Sequence, residues 1–429
     1  MNHPTTVTTT IEQLLALPQP PGPGFPLVLK VSPSSFRFND GVLEPPSNDN
    51  ERNDHSSVAL AAALIRAGRV VAFPTETVYG LGADATNEAA VKRVFEAKGR
   101  PSDNPLIVHV SSLDMLSTHL LPQNTPIPSQ YSNVLASHWP GPLTILLPKS
   151  DAVPPVVTAG HDSVAVRMPS HPVARALIAK ANVPIAAPSA NTSTRPSPTQ
   201  ASHVHQDLSG RILLILDGGS CEGGLESTVL DALRPPPYVV LRPGGVTVEM
   251  LRKLDGFKDT LVFKKTKENE TSSEVLAPVT PGMKYKHYSP RIPVILFEVD
   301  QSVLHSTIQT RILRLHAEKS KPSSTLTPHQ SSSTPAPETL TIGLLQTETQ
   351  MPLDFSLTTD TLTHPRIRII HRLLGSSRAE VGRNLFAALR EMETECHVCF
   401  VEGVREVEEG LAVMNRVRKA AGEIVYDSK

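Results

Sequence analysis

Five loops in this sequence carry the residue types that grip phosphates and small polar molecules. The first is Pro74-Thr75-Glu76-Thr77-Val78-Tyr79-Gly80-Leu81-Gly82, with hydroxyls, one carboxylate and two glycines that let the backbone approach a ligand. The second, Lys98-Gly99-Arg100-Pro101-Ser102-Asp103-Asn104-Pro105, places two cations around a helix end. A helix C-terminus attracts positive charge, so capping accounts for Lys98 as well as ligand binding does, but not for Arg100. The third runs from Ala186 to Ser193 and on through Arg195-Pro196-Ser197-Pro198; the fourth is Glu226-Ser227-Thr228 and the fifth Leu241-Arg242-Pro243-Gly244-Gly245. Each alone is an ordinary turn or cap. Together with Arg167 they supply five cations, several hydroxyls and many N–H groups, which suits a nucleoside triphosphate and a small polar co-substrate. The sequence has no Walker-type lysine loop, no G-x-S-x-G elbow, no H-E-x-x-H and no paired C-x-x-C. No activated nucleophile is evident, so direct attack of one substrate on the other fits better than a covalent enzyme intermediate.

These loops follow short apolar runs that alternate with helical periodicity. SSVALAAALIRAG predicts a helix from Ser56 to Gly68, RVVAF a buried strand, and NEAAVKRVFEAK a helix stopped by Gly99. Strands follow at PLIVHV, LTILLP, SVAVRM, PIAAPSAN, ILLILDGG, STVLDA and YVVLRPGG, with helices over HPVARALIAKAN and TQASHVHQDL. Strict βαβ alternation is missing, so a mixed, twisted sheet of α/β type is expected, with ligands just past the strand ends. A second alternating region from 293 predicts a smaller Rossmann-like α/β domain. The expected organisation is an N-terminal extension over 1–50, partly disordered and with an edge strand from Leu27 to Val31. A catalytic domain over 51–255, a linker over 256–292 and the second domain over 293–429 follow, the last with a low-complexity insertion at 320–338.

Net charge is −1, against binding of nucleic acid through the overall field. The 40 prolines, about twice the usual share of roughly 5%, cluster in loops and linkers. Three cysteines indicate a reducing compartment without a disulfide framework, and Cys396 and Cys399 read as two strand residues. No run approaches the ~20 apolar residues of a membrane span. The N-terminus lacks a basic region followed by an apolar one, so a cytoplasmic location is expected.

PTETVYGLG, AKGRPSDNPLIVHV, WPGPLTI, SVAVRMP, APSANTSTRPSPT, ILDGG, ESTV and LRPGG occur in the order and spacing found in the threonylcarbamoyl-AMP synthase (YrdC-like) family. PGMKYKHYSP resembles the linker of its two-domain members. NLFAALR and EGLAVMNRVRKAA resemble their C-terminal domain, and the N-terminal extension and loop insertion resemble the fungal type. The resemblance implies condensation of L-threonine, bicarbonate or CO2 and ATP, with Mg2+, to threonylcarbamoyl-AMP and pyrophosphate. The product would pass to the tRNA threonylcarbamoyl transferase machinery. It further implies that Lys98 and Arg100 are catalytic and hold phosphates, and that Arg100, Asn104, Ser163, Ser189, Asn191, Ser197 and Arg242 contact ATP, with His287 and Tyr288 of the linker over the nucleotide. Thr77, His109, Arg167, Ala187 (through its backbone) and Ser227 would line the threonine pocket, where the Arg167 guanidinium suits the substrate carboxylate. Lys98 and Arg100 are expected at the surface, dispensable for folding. No protein ligands to the metal are assigned.

A competing reading is an RNA-binding module of the same fold without synthase activity, or at least a weak tRNA contact; neutral charge and the lack of aromatic-rich RNA motifs weigh against it. A second is a carbamoyl-phosphate-using domain of hydrogenase maturation, which would need accessory domains lacking here.

Overall fold

Apolar runs that alternate with helices over this length can bury their faces only by layering helices on sheets. The computed structural model describes residues 11–18, 20–263, 287–319, 339–348 and 367–427, and divides into two units, Met1–Tyr285 and Lys286–Lys429.

The first unit contains, in chain order, β1 (Leu27–Lys30), β2 (Phe38–Asn39), β3 (Val42–Leu43), β4 (Val71–Phe73), β5 (Gly80–Asp84), β6 (Ile107–His109) and β7 (Leu143–Pro148). There follow β8 (Ser163–Arg167), β9 (Ile185–Ala186), β10 (Leu214–Asp217), β11 (Thr228–Asp231), β12 (Val239–Arg242) and β13 (Leu261–Val262). All but the β2–β3 hairpin join one sheet, ordered β1-β10-β4-β5-β9-β6-β8-β7-β11-β12-β13. Parallel and antiparallel neighbours interleave: β6 runs parallel to β8 but antiparallel to β9, and β7 antiparallel to β8. The expected mixed sheet is present, and β1 is its edge strand.

Two boundaries differ from the sequence expectation. The helix placed at Ser56 begins at Asp49, because the Asn48 side chain accepts from Glu51 N and Asp49 and Glu51 supply the negative charge its first turn favours. The sheet also runs past residue 255, since β13 pairs with β12; two apolar residues in a polar stretch were enough to add an edge strand.

The helix Glu88–Lys98 positions the second loop. Asn87 caps it, and Gly99, at φ 60°, ends it in the left-handed region that glycine tolerates best. Val91, Val94, Phe95 and Lys98 share the buried stripe, the i, i+3, i+4, i+7 spacing of a core-facing helix. Lys98 is therefore directed inward, not to the surface.

The second unit is a five-stranded, wholly parallel sheet of β14 (Val294–Glu298), β15 (Leu340–Gln346), β16 (Ile367–Leu373), β17 (Val398–Glu402) and β18 (Glu423–Tyr426), in the order β16-β15-β17-β14-β18. Helices Gln301–Lys319, Arg378–Glu395 and Glu409–Ala420 connect the strands, and Ile308, Ile342, Leu344 and Phe400 lie in its core. The Rossmann-like expectation fits this arrangement. Cys396 and Cys399 are buried free thiols, and Cys399 lies within β17. The insertion 320–338 and linker residues 264–286 lie outside the described residues.

Candidate active site

The sheet register sets one row of polar residues: His109 pairs with Arg167, and Arg167 with Thr144. From the first loop, Thr77 Oγ1 accepts from Arg167 Nη1 at 2.8 Å and Glu76 lies 2.5 Å from Arg167 Nη2. Arg167 Nε donates to Gly141 O at 3.1 Å. Thr75 and Thr77 share a hydroxyl contact of 2.7 Å. All of these side chains are buried, Arg167 to 3% exposure.

Thr77 lies just before β5, at the end of the sheet where β8 begins, because Gly80 bridges to Ser189. Arg167 ends β8, about 13 Å along the strand from Ser163 at ~3.3 Å per residue. Their hydrogen bond requires the 74–79 loop to fold back across the sheet face. The site thus lies over the face and not simply past the strand ends, as the sequence reading expected.

Burial shapes the charges. For Glu76, burial raises the carboxyl pKa, but the adjacent Arg167 outweighs it and holds the group below its ordinary value. Burial, with Arg167 second, pushes His109 down to about 3, so its imidazole is neutral at physiological pH. Burial likewise lowers His171 to about 4, opposed by Glu76.

A second cluster surrounds Lys98, which is 2% exposed. Its Nζ donates to the carbonyls of Ser189 and Asn191, and Ser193 N returns a bond to Lys98 O. The expectation that Lys98 lies at the surface is corrected: it is buried and bonded to two carbonyls of the third loop. Arg100 folds onto Asn104 O and Pro105 O, the latter at 3.1 Å. Asn191 Nδ2 donates to Thr192 O and Arg195 O. Asn104 and Asn191 are almost fully buried, yet among the described residues each Oδ1 lacks a hydrogen-bond partner, as expected of groups that await a ligand. The β6–β8 register extends to place Ser163 beside Pro105, in this cluster and away from Arg167.

A third group links the others. Ser197 Oγ donates to Glu226 Oε1 at 2.6 Å. Arg242 grips Ser227 O through Nε and Nη2, at 3.1 and 3.0 Å, and Ser227 Oγ lies 2.8 Å from Thr144 Oγ1. Gly244 allows this: a Cβ there would sit 2.3 Å from Thr228 N. Ala187 N is committed to Ile107 O, so its carbonyl is the backbone group left to offer.

His287 and Tyr288 belong to the second unit. The Tyr288 ring is buried and stacked on Phe386 at 5.2 Å, with the Arg416 guanidinium 6.0 Å from its centroid, and His287 lies 5.6 Å from Tyr288. Sequence reasoning left out Glu76, Thr144 and Glu226. Glu76 and Glu226 stood inside loops already singled out, and a buried carboxylate beside a hydroxyl was the signal for both.

An α/β fold whose sheet face gathers buried cations, hydroxyls and unpartnered amide oxygens from five loops defines an enzyme for small, polar, anionic substrates. Residues 63–244 match the Sua5, YciO and YrdC family model, described as "Telomere recombination", and residues 246–422 match "Threonylcarbamoyl-AMP synthase, C-terminal domain". The chain is 42% identical over 87% of its length to 97% of a threonylcarbamoyl-AMP synthase from Pyrococcus abyssi. It is 41% identical over 89% of its length to 95% of one from Schizosaccharomyces pombe. The crystal structure of P. abyssi Sua5 complexed with L-threonine superposes with a TM-score of 0.72 at 38% identity, covering 94% of this chain and all of that one. This chain belongs to the threonylcarbamoyl-AMP synthase family. It is an enzyme of the nucleotidyltransferase class, which sets aside the readings as an RNA-binding module without synthase activity or a hydrogenase-maturation domain. Among the described residues no helix is long and apolar enough to cross a membrane.

Proposed function

We propose that threonine sits in the Thr77–Arg167–Ser227 cluster and ATP along the Lys98–Asn104–Asn191–Ser197 cluster, with bicarbonate or CO2 entering between them. The observation that carries this reading is the division of the site. One cluster pairs guanidiniums with hydroxyls, Arg167 with Thr77 Oγ1 and Arg242 with Ser227 Oγ, the chemistry of an amino-acid carboxylate and a side-chain hydroxyl. The other holds unpartnered amide oxygens beside two cations, suited to a nucleotide.

The neutral threonine amine adds to CO2 and loses a proton to water, giving a carbamate. A carbamate oxygen then attacks the α-phosphorus of ATP in line, the bond to the bridging oxygen breaks, and pyrophosphate leaves. The protein supplies position and charge neutralisation. Neutral His109 adds no charge beside Arg167. No cluster of three or more His, Cys, Asp or Glu suited to a metal exists among the described residues. Mg2+ needs few protein ligands when phosphates and waters complete its shell; Glu226, beside Ser197, would contribute an oxygen, and the ion would neutralise phosphate charge. Tyr288, stacked on Phe386, anchors the end of the linker to the second unit. The product goes to the tRNA threonylcarbamoyl transferase machinery, and direct tRNA contact is weak.

Pyrophosphate release with threonine, serine and valine tests the pocket. A site built to hydrogen-bond a hydroxyl rejects an analogue that leaves its own groups unpaired. Threonine is expected to exceed serine and valine to be far worse; equal turnover with valine would rule out this placement.

A further inference from the structure

The second unit has a cavity of about 930 Å³, within the usual size of a small-molecule site. Its place follows from the topology. From β14 the chain crosses to β15 on one side, whereas from β17 it crosses to β18 on the other, and β14 and β17 are neighbours. Such a reversal opens a crevice at the carboxyl ends of parallel strands, where α/β sheets bind ligands. The cavity is lined by Phe297 to Gln301 at the end of β14 and just beyond it, and by Glu402 to Arg405 at the end of β17 and just beyond it. Gly403 keeps the crevice narrow at its base, since a Cβ there would lie 2.9 Å from Phe297 O.

The lining decides the ligand. Glu298, Asp300, Glu348, Glu402 and Asp427 supply five carboxylates against three guanidiniums, of Arg378, Arg405 and Arg418. The guanidiniums are engaged already. Arg378 and Arg405 converge on Glu348, and Arg418 meets Glu298 at 2.7 Å. A phosphate would therefore meet a net negative wall. The N-terminus of the helix Arg378–Glu395 offers it little, because Glu380 already accepts from Ser376 N and Oγ. After β14 comes Val299-Asp300-Gln301, with an acid where a phosphate-binding loop would carry glycine. Buried Arg378 Nε has no hydrogen-bond partner among the described residues and calls for an acceptor on the same ligand. We propose that this cavity is a second ligand site, for a small amine-bearing cation that also carries a carbonyl or hydroxyl oxygen.

The test is calorimetric titration of the full-length protein with L-argininamide, and separately with pyrophosphate, at low salt. Saturable one-to-one binding of the amide is expected, weakened about tenfold or more, the loss of one charge contact, in Glu402→Gln and in Glu348→Gln. Pyrophosphate release from ATP should be unchanged in both. Glu348 is half-buried where Glu402 is buried, so its variant decides the matter if Glu402→Gln fails to fold. Three results would each overturn the proposal: no saturable binding of the amide, unchanged affinity in the Glu348 variant, or pyrophosphate binding that Arg378→Gln weakens.

Discussion

Replacing Lys98 with Met keeps the apolar stem on the buried stripe and removes only the ammonium, which separates charge from packing. A buried carbonyl, of Asn191, and a half-buried one, of Ser189, then lose their donor. An unsatisfied buried acceptor costs about 1–3 kcal/mol. The variant should therefore lose on the order of 2–5 kcal/mol locally, relieved in part if the loop moves toward water. Because both carbonyls belong to the loop that carries Ser189 and Asn191, the activity loss should be at least about 10²-fold. Hydrogen exchange across 189–197, read by mass spectrometry, checks the local effect, and pyrophosphate release the catalytic one. Ser193 N, bonded to Lys98 O, is the amide to follow. The chain has two units and one global unfolding transition would not be two-state, which makes a local probe the better measure. Wild-type protection across this segment, with or without activity, would refute the pinning role; full protection with activity lost would return Lys98 to phosphate contact alone.

Acid should destabilise the first unit through buried neutral histidines. His109 and His171 have folded pKa values of about 3 and 4, below the ordinary ~6.5, so the unfolded chain binds more protons and stability is lost as pH falls from about 6.5 toward those values. At pH 5 the loss is roughly 2 kcal/mol for each, and the lowered carboxyl of Glu76 adds to it only below about pH 4.5. Denaturant midpoints at pH 7 and pH 5 for the wild type and His171→Gln, which should lose less, check this. Truncation tests the linker: a chain ending at Ala277 should keep the first sheet, which closes at Val262, yet lose most activity, while one ending at Arg291 should recover a measurable part. Equal activity of the shorter chain and the full one would leave the linker as a tether.

Much of the fold was legible because it rests on local signals. Gly99 ended its helix and the parallel second sheet followed its strand–helix alternation. The N-terminal turn of the helix Asp49–Arg66 was not legible from hydrophobicity, since polar residues and the Asn48 cap build it. Lys98 is more instructive. Its spacing from Val91, Val94 and Phe95 marked it as inward-facing, but its charge argued for the surface. What settles its place is a pair of carbonyls 91 and 93 residues away. Ser197 and Glu226, 29 residues apart, likewise meet only when the loops close over the sheet. Sequence reading named the loops, while the bonds between them belong to tertiary structure.

Threonine, bicarbonate and ATP are proposed to meet at one site of this chain. The most direct test is mass analysis of the nucleotide products after incubation with L-threonine, ¹³C-bicarbonate, ATP and Mg2+. An adenylate that carries both the threonine mass and the ¹³C label is expected, formed one-for-one with pyrophosphate and absent when threonine is omitted. Pyrophosphate release without threonine, or an AMP ester lacking the ¹³C carbon, would contradict the proposal.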